Sequence, residues 1–159
     1  MARARSPLGL VPVAAAALAC DPDGAAPPPW HASARALLEQ VEADEFRRWP
    51  SEVIEGHASH GAFSAVFVNA VFDAARTDPR PRVHWPTGSV LVCEGRDQAD
   101  GEARTLQIMR REAGSAGGGW IWAQYDGDGE PLDYGTATTC LHCHAAGDDY
   151  VRSVSFAGE

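Results

Sequence analysis

Cys140-Leu141-His142-Cys143-His144 decides what the rest of the chain must build. The pattern is Cys-x-x-Cys-His, the attachment signature of a c-type haem. On a helix, positions i, i+3 and i+4 share one face. Both thiols can then add to the vinyl groups of one porphyrin while the imidazole of His144 meets the iron from below. Sulfur supplies a permanent thioether, and a neutral ring nitrogen supplies the metal ligand. Three other readings stand beside this one. A redox-active thiol pair belongs in a thioredoxin-like βαβ unit, and no such unit precedes the motif. A structural zinc takes a second ligand pair well away in sequence, so Cys140, Cys143, His142 and His144 alone are too cramped. Chance occurrence of a short pattern is the third.

The position of the motif narrows the architecture. Small electron-carrying cytochromes attach haem early and return a methionine to the iron from further along the chain. Here the motif lies near the C-terminus and no methionine follows His144. Four-helix cytochromes also carry the motif late, but strand-like runs rich in glycine, tryptophan and proline argue against a helix bundle.

Upstream of the motif the pattern is mixed. Leu37, Leu38, Val41 and Phe46 recur at near-helical spacing, which predicts a helix from His31 to Trp49 that Pro50 stops. Strands are predicted over Ala62–Asn69, Ser89–Glu94, Arg104–Arg111 and Trp120–Tyr125, with a short helical turn from Ala70 to Arg76 and a proline-rich loop to Pro86. In the third of these strands Leu106 and Ile108 point one way and Gln107 and Met109 the other. Gly117-Gly118-Gly119 reads as a turn. Asp126-Gly127-Asp128-Gly129 reads as a plain turn rather than a calcium loop, because it lacks the length and terminal glutamate of an EF-hand. The expected fold is α+β: an antiparallel β-sheet of four to five strands with an N-terminal helix and a C-terminal haem-binding helix.

The first residues read as an export signal. Arg3 and Arg5 precede an apolar run from Leu8 to Ala19, too short to span a membrane comfortably, and Ala17-Leu18-Ala19 forms an A-x-A cleavage pattern. Residues 1–19 are thus expected to be removed, residues 20–30 to form a Pro/Ala-rich linker, and residues 31–159 to form the haem domain. Cys20 fits either a lipid-modified N-terminus or simple release, so membrane attachment is expected only through a lipid anchor at Cys20. The expected location is periplasmic or otherwise exported, where bacterial c-type haem is attached. Cys140 and Cys143 go to haem and Cys20 to processing, which leaves Cys93 alone and a disulfide framework without members. The formal net charge is −9, which argues against nucleic acid and anionic membrane surfaces as partners.

The segment from His57 to Phe156 resembles the cytochrome P-460 and cytochrome c′-beta family. The matching pieces are His60-Gly61 with Val66-Phe67-Val68-Asn69, the run Trp85-Pro86-Thr87-Gly88-Ser89-Val90-Leu91-Val92-Cys93-Glu94, Ile108-Met109-Arg110, Gly119-Trp120-Ile121-Trp122, and Cys140 to His144 with Asp149-Tyr150-Val151. The resemblance implies an antiparallel-sheet fold, a homodimer and one five-coordinate haem whose distal side binds small nitrogen species or diatomic gases. It leaves room for a redox partner protein. In the P-460 branch a lysine just before a glutamate on the Gly-Ser/Thr-Val strand cross-links to the porphyrin edge. Cys93 stands at that position here, and all 13 basic residues are arginine, so the lysine cross-link cannot form. The chain fits the uncross-linked c′-beta branch better, and hydroxylamine oxidation stands as the alternative activity.

Other candidates follow from the same alignment. Cys93, on a strand face with Leu91, is either a thiol able to link to or tune the haem, or a buried inert side chain. Trp85 and Phe67 are expected to cap the distal side, or else to pack in the core. Arg110 and Arg111 suit haem propionates, with a solvated strand face as the other reading. His57, His60, His84 and His142 could approach the iron, and Met109 could ligate it, though each has a plainer role in a loop or the sheet.

Overall fold

The structure, a computed structural model, describes residues 26–56 and 60–152; the expected signal and Cys20 lie outside the described residues, as does His57. Helix α1 (His31–Ala43) leads into a six-stranded sheet: β1 (Ser51–Glu55), β2 (Phe63–Val68), β3 (Val90–Arg96), β4 (Ala103–Arg111), β5 (Trp120–Asp126) and β6 (Pro131–Gly135). Helix α2 (Ala70–Thr77) interrupts the run between β2 and β3, and helix α3 (Thr138–His144) closes it. Every neighbouring pair is antiparallel and the strands lie in chain order. Such a meander needs only short connections, as antiparallel pairing permits.

Two expectations need correction. The sheet has six strands rather than four to five, the additions being β1 and β6. β1 is an edge strand with Val53 49% and Ile54 36% exposed, so no buried face marks it in the sequence. β6 opens at Pro131, a position where a missing N–H costs the ladder nothing. The first helix also ends at Ala43, short of Trp49. Glu45 adopts a left-handed conformation (φ 51°), and the chain re-enters as a 3-10 turn over Phe46–Arg48. That break swings Phe46 into the core, where its ring meets Phe67 edge-on at 5.3 Å.

The period of two divides the sheet into two faces. Across one register line run Phe67, Val92, Ile108, Ala123 and Tyr134. These pack against Ala34, Leu37 and Val41 of α1 and against Phe46. Buried Tyr125 donates from its hydroxyl to the carbonyl of Ala34 at 2.7 Å, tying helix to sheet. The next line, Val66, Cys93, Gln107 and Gln124, faces the other way. On that second face Val68, Leu91, Met109, Trp120 and Trp122 pack with Phe72 of α2, Trp85, Ala137 and Val151. Asn69 fixes the corner between the faces. Its Oδ1 accepts from the N–H groups of Phe72 (3.0 Å) and Val90 (3.1 Å), and its Nδ2 donates to Gly88 O (2.8 Å). One side chain thereby caps α2 and sets the start of β3. Asp126-Gly127-Asp128-Gly129 is a turn: Asp126 Oδ1 accepts from the backbone N–H of Asp128 and Glu130, which occupies that carboxylate locally.

Candidate haem site

Between the second sheet face and α3 lies a cavity of about 390 Å³, within the usual range for a cofactor or ligand pocket. The sheet contributes Ile54, Ser64, Val66, Leu91, Cys93, Gln107, Met109 and Trp122, and α3 contributes Cys140, Cys143 and His144. Glu55, His60 and Arg152 stand among the remaining lining residues. Helical spacing has the effect expected of it: both thiols and the imidazole of the Cys-x-x-Cys-His motif reach one cavity, while His142 is exposed.

His144 is oriented on three sides. Its Nδ1 lies 2.9 Å from the carbonyl oxygen of Tyr150. A carbonyl can only accept, so Nδ1 carries the proton and Nε2 keeps its lone pair. The ring meets Trp122 edge-on at 4.9 Å and His60 at 6.2 Å. Burial pushes the His144 pKa below its ordinary value; the Tyr150 carbonyl opposes that shift, and nearby His60 and Arg152 add to it. The result is a neutral, tautomerically fixed imidazole, the form that binds a metal. Burial likewise raises the pKa of Cys140, with Asp133 and Cys143 adding to the effect.

Gln107 is the unexplained polar group of the cavity. The residue is 8% exposed, and neither its Oε1 nor its Nε2 has a hydrogen-bond partner. Leaving a buried amide unpaired costs about 1–3 kcal/mol, so its place on the cavity wall fits a site completed by a polar ligand. Cys93 sits opposite it in register. Burial is the main cause that pushes the Cys93 thiol up to about 11; a hydrogen bond with Ser64 works against that and Glu94 works with it. Such a thiol is protonated at neutral pH and has little nucleophilic character.

The other sequence candidates fall elsewhere. Phe67 lies on the α1 side of the sheet, within the first core, so it does not cap the cavity. Trp85 is on the correct side but stacks on Phe72 at 3.9 Å, with the Arg82 guanidinium 3.7 Å from its ring centre, and does not line the cavity. Arg110 turns to Gln40 of α1 (3.3 Å) and Glu112 (2.9 Å) and does not line the cavity. Arg152, which sequence reading passed over, is the arginine on the cavity wall; it donates to Cys143 O at 3.2 Å. Trp122 and Gln107 were also missed as site residues. Their signal was present, because alternation places Gln107 and Met109 on one face, and Met109 pairs with Trp122. His84 is 64% exposed and lies beside Asp149; Met109 does reach the cavity wall, as part of the second core. Among the described residues no group of three or more His, Cys, Asp or Glu side chains is arranged to hold a metal ion.

No curated protein matches the chain. A family model described as Cytochrome P460 matches residues 43–152. That match takes in all six strands, both later helices and every cavity residue named above, and it covers more than half of the chain. The protein therefore belongs to the cytochrome P460 family.

Proposed function

We propose that the protein is an exported monohaem cytochrome in which one haem is joined to Cys140 and Cys143 and ligated by His144, and whose other axial side takes a small neutral ligand such as nitric oxide or carbon monoxide. Family membership implies a c-type haem and export; the single copy, the covalent bonds and the ligand class belong to this proposal. The residues present fit the group. The observation that carries the reading is the bond from His144 Nδ1 to Tyr150 O, which leaves Nε2 as the imidazole's one open donor in a cavity that both cysteines also line. Bound there, haem supplies an iron that accepts a diatomic ligand and exchanges electrons.

The chain's own residues set the conditions. Ile54, Val66, Leu91, Met109 and Trp122 make much of the cavity wall apolar, and Ser64, Cys93 and Gln107 are polar there without charge. The charged groups of the wall, Glu55 and Arg152, are of opposite sign and both exposed to solvent; the apolar and neutral polar remainder offers little to offset the burial of an anion, so neutral ligands are favoured over nitrite or cyanide anion. The carboxamide of Gln107 supplies a donor and an acceptor to whatever enters.

Maturation of residues 20–159 in a host that attaches c-type haem provides the test. The expected product keeps its colour through acidified organic solvent, becomes high-spin ferrous on reduction and binds nitric oxide. Extractable pigment, or a low-spin iron in both oxidation states, would overturn the reading; turnover of hydroxylamine would move it to the alternative activity.

A further inference from the structure

The proximal histidine is held by a turn that is itself held by two tryptophans. Asp148 to Val151 form a tight turn closed by the bond from Val151 N–H to Asp148 O (3.0 Å). Both central residues, Asp149 (φ 47°) and Tyr150 (φ 69°), lie in the left-handed region although neither is glycine. Two successive positive φ values are the geometry of a type I′ turn, which glycine and asparagine ordinarily supply. Something must compensate, and the contacts show what does.

The carboxylate of Asp149 accepts from the backbone N–H of Trp85 at 2.9 Å and lies 3.5 Å from Arg111 and 3.3 Å from His84. Its side chain is 8% exposed. The carbonyl of Asp149 accepts from Trp120 Nε1 (2.9 Å), and that of Asp148 accepts from Trp85 Nε1 (3.1 Å). Arg111 lies over the Trp120 ring and donates to Gly118 O at 2.8 Å. At Gly118 a Cβ would come within 2.4 Å of the Tyr150 ring, so only glycine lets that ring pass. Consecutive carbonyls are thus assigned in turn: Asp148 to one indole, Asp149 to the other, Tyr150 to His144 Nδ1.

We propose that this turn sets the orientation and basicity of the His144 imidazole, and that Asp149 is its positioning residue, acting through the Tyr150 carbonyl without touching the cofactor. The inference rests on His144 being the iron ligand. A carbonyl held rigidly against Nδ1–H pulls the proton toward oxygen, makes Nε2 a stronger donor and favours ferric iron. A carbonyl allowed to drift does the opposite.

The test compares Asp149→Asn with Asp149→Gly in the holoprotein. Both replacements tolerate the left-handed backbone, but only asparagine retains a side-chain acceptor for the Trp85 N–H. The readouts are the iron–histidine stretching band of the reduced protein by resonance Raman spectroscopy and the midpoint potential. Asp149→Gly is expected to lower and broaden the band and to raise the potential; Asp149→Asn is expected to stay close to wild type. Trp85→Phe removes the indole N–H from Asp148 O while keeping a ring on Phe72, and a smaller shift in the same direction is expected. It serves also where the glycine variant fails to fold. A sharp wild-type band that neither Asp149→Gly nor Trp85→Phe moves overturns the inference alone. A wild-type holoprotein with no iron–histidine band overturns the His144 ligation beneath it, and the inference with it.

Discussion

Cys93 keeps its proton through neutral pH because burial moves its pKa from 9.0 to about 11. The sign follows directly. The folded state holds this proton more tightly than the unfolded chain, so its share of stability is complete below pH 9.0 and is lost as pH rises toward about 11. Denaturant midpoints measured across that window should fall with pH in the wild type, and Cys93→Ala should remove part of the slope. Iodoacetamide labelling of the native protein at pH 8, followed by mass spectrometry, should leave Cys93 unmodified. The haem mass should be the same in Cys93→Ala as in wild type, because a protonated thiol is a poor nucleophile. Gln107 makes the opposite case, a residue whose role depends on occupancy. Gln107→Met keeps the length of the side chain and removes its hydrogen bonds. Losing one bond worth about 0.5–1.5 kcal/mol should speed release of a hydrogen-bonding ligand by about 2- to 10-fold, measured by stopped-flow displacement. A rate indistinguishable from wild type would mean that the amide faces something other than the ligand.

At the scale of elements, the two faces of the sheet separate stability from colour. Phe67 supports the α1 core from the far side of the cavity. Phe67→Ala should therefore cost about 3–5 kcal/mol, read from urea denaturation, while the haem spectrum of the folded fraction stays as in wild type. Trp122→Phe, on the cavity side against His144, should instead change the haem spectrum, besides costing the second core part of its packing. How far the sequence could be read follows the same division. In β4 polar and apolar residues alternate from Thr105 to Ile108, and strand parity carried onward places Met109 with Gln107 and Arg110 with Leu106 and Ile108. β2 offers no such marker. Val66, Phe67 and Val68 are apolar on both faces, and nothing in the run says which one meets the cavity. Trp85 lies outside any strand, so no period applies to it. β1 and β6 hide for the edge reasons of exposure and an initial proline. The Cys-x-x-Cys-His triad needed only local spacing and was legible outright. The Tyr150 carbonyl needed a turn made by two non-glycine residues in a left-handed conformation, which sequence patterns do not announce.

For the whole molecule, the question is where the folding unit begins. The family match starts at residue 43, at the last residue of α1, yet the helix ahead of that point closes one of the two cores. Ala34, Leu37 and Val41 are buried against the sheet. Removing α1 would lose roughly 1.5–3 kcal/mol each for the leucine and valine side chains, and the bond from the Tyr125 hydroxyl to Ala34 O, worth about 0.5–1.5 kcal/mol more. It would also release Glu130 from its contacts with His31 and Arg35. Those losses together reach the lower part of the stability of an ordinary domain, about 5–15 kcal/mol. A chain begun at residue 43 should therefore mature poorly and melt without a cooperative transition, whereas one begun at residue 26 should melt cooperatively. Because the haem motif and every cavity residue are present in both, a difference between them belongs to the helix side of the sheet. Thermal denaturation followed by far-ultraviolet circular dichroism decides the matter: equal midpoints for the two would show that the cavity-side core, with its haem, carries the fold unaided.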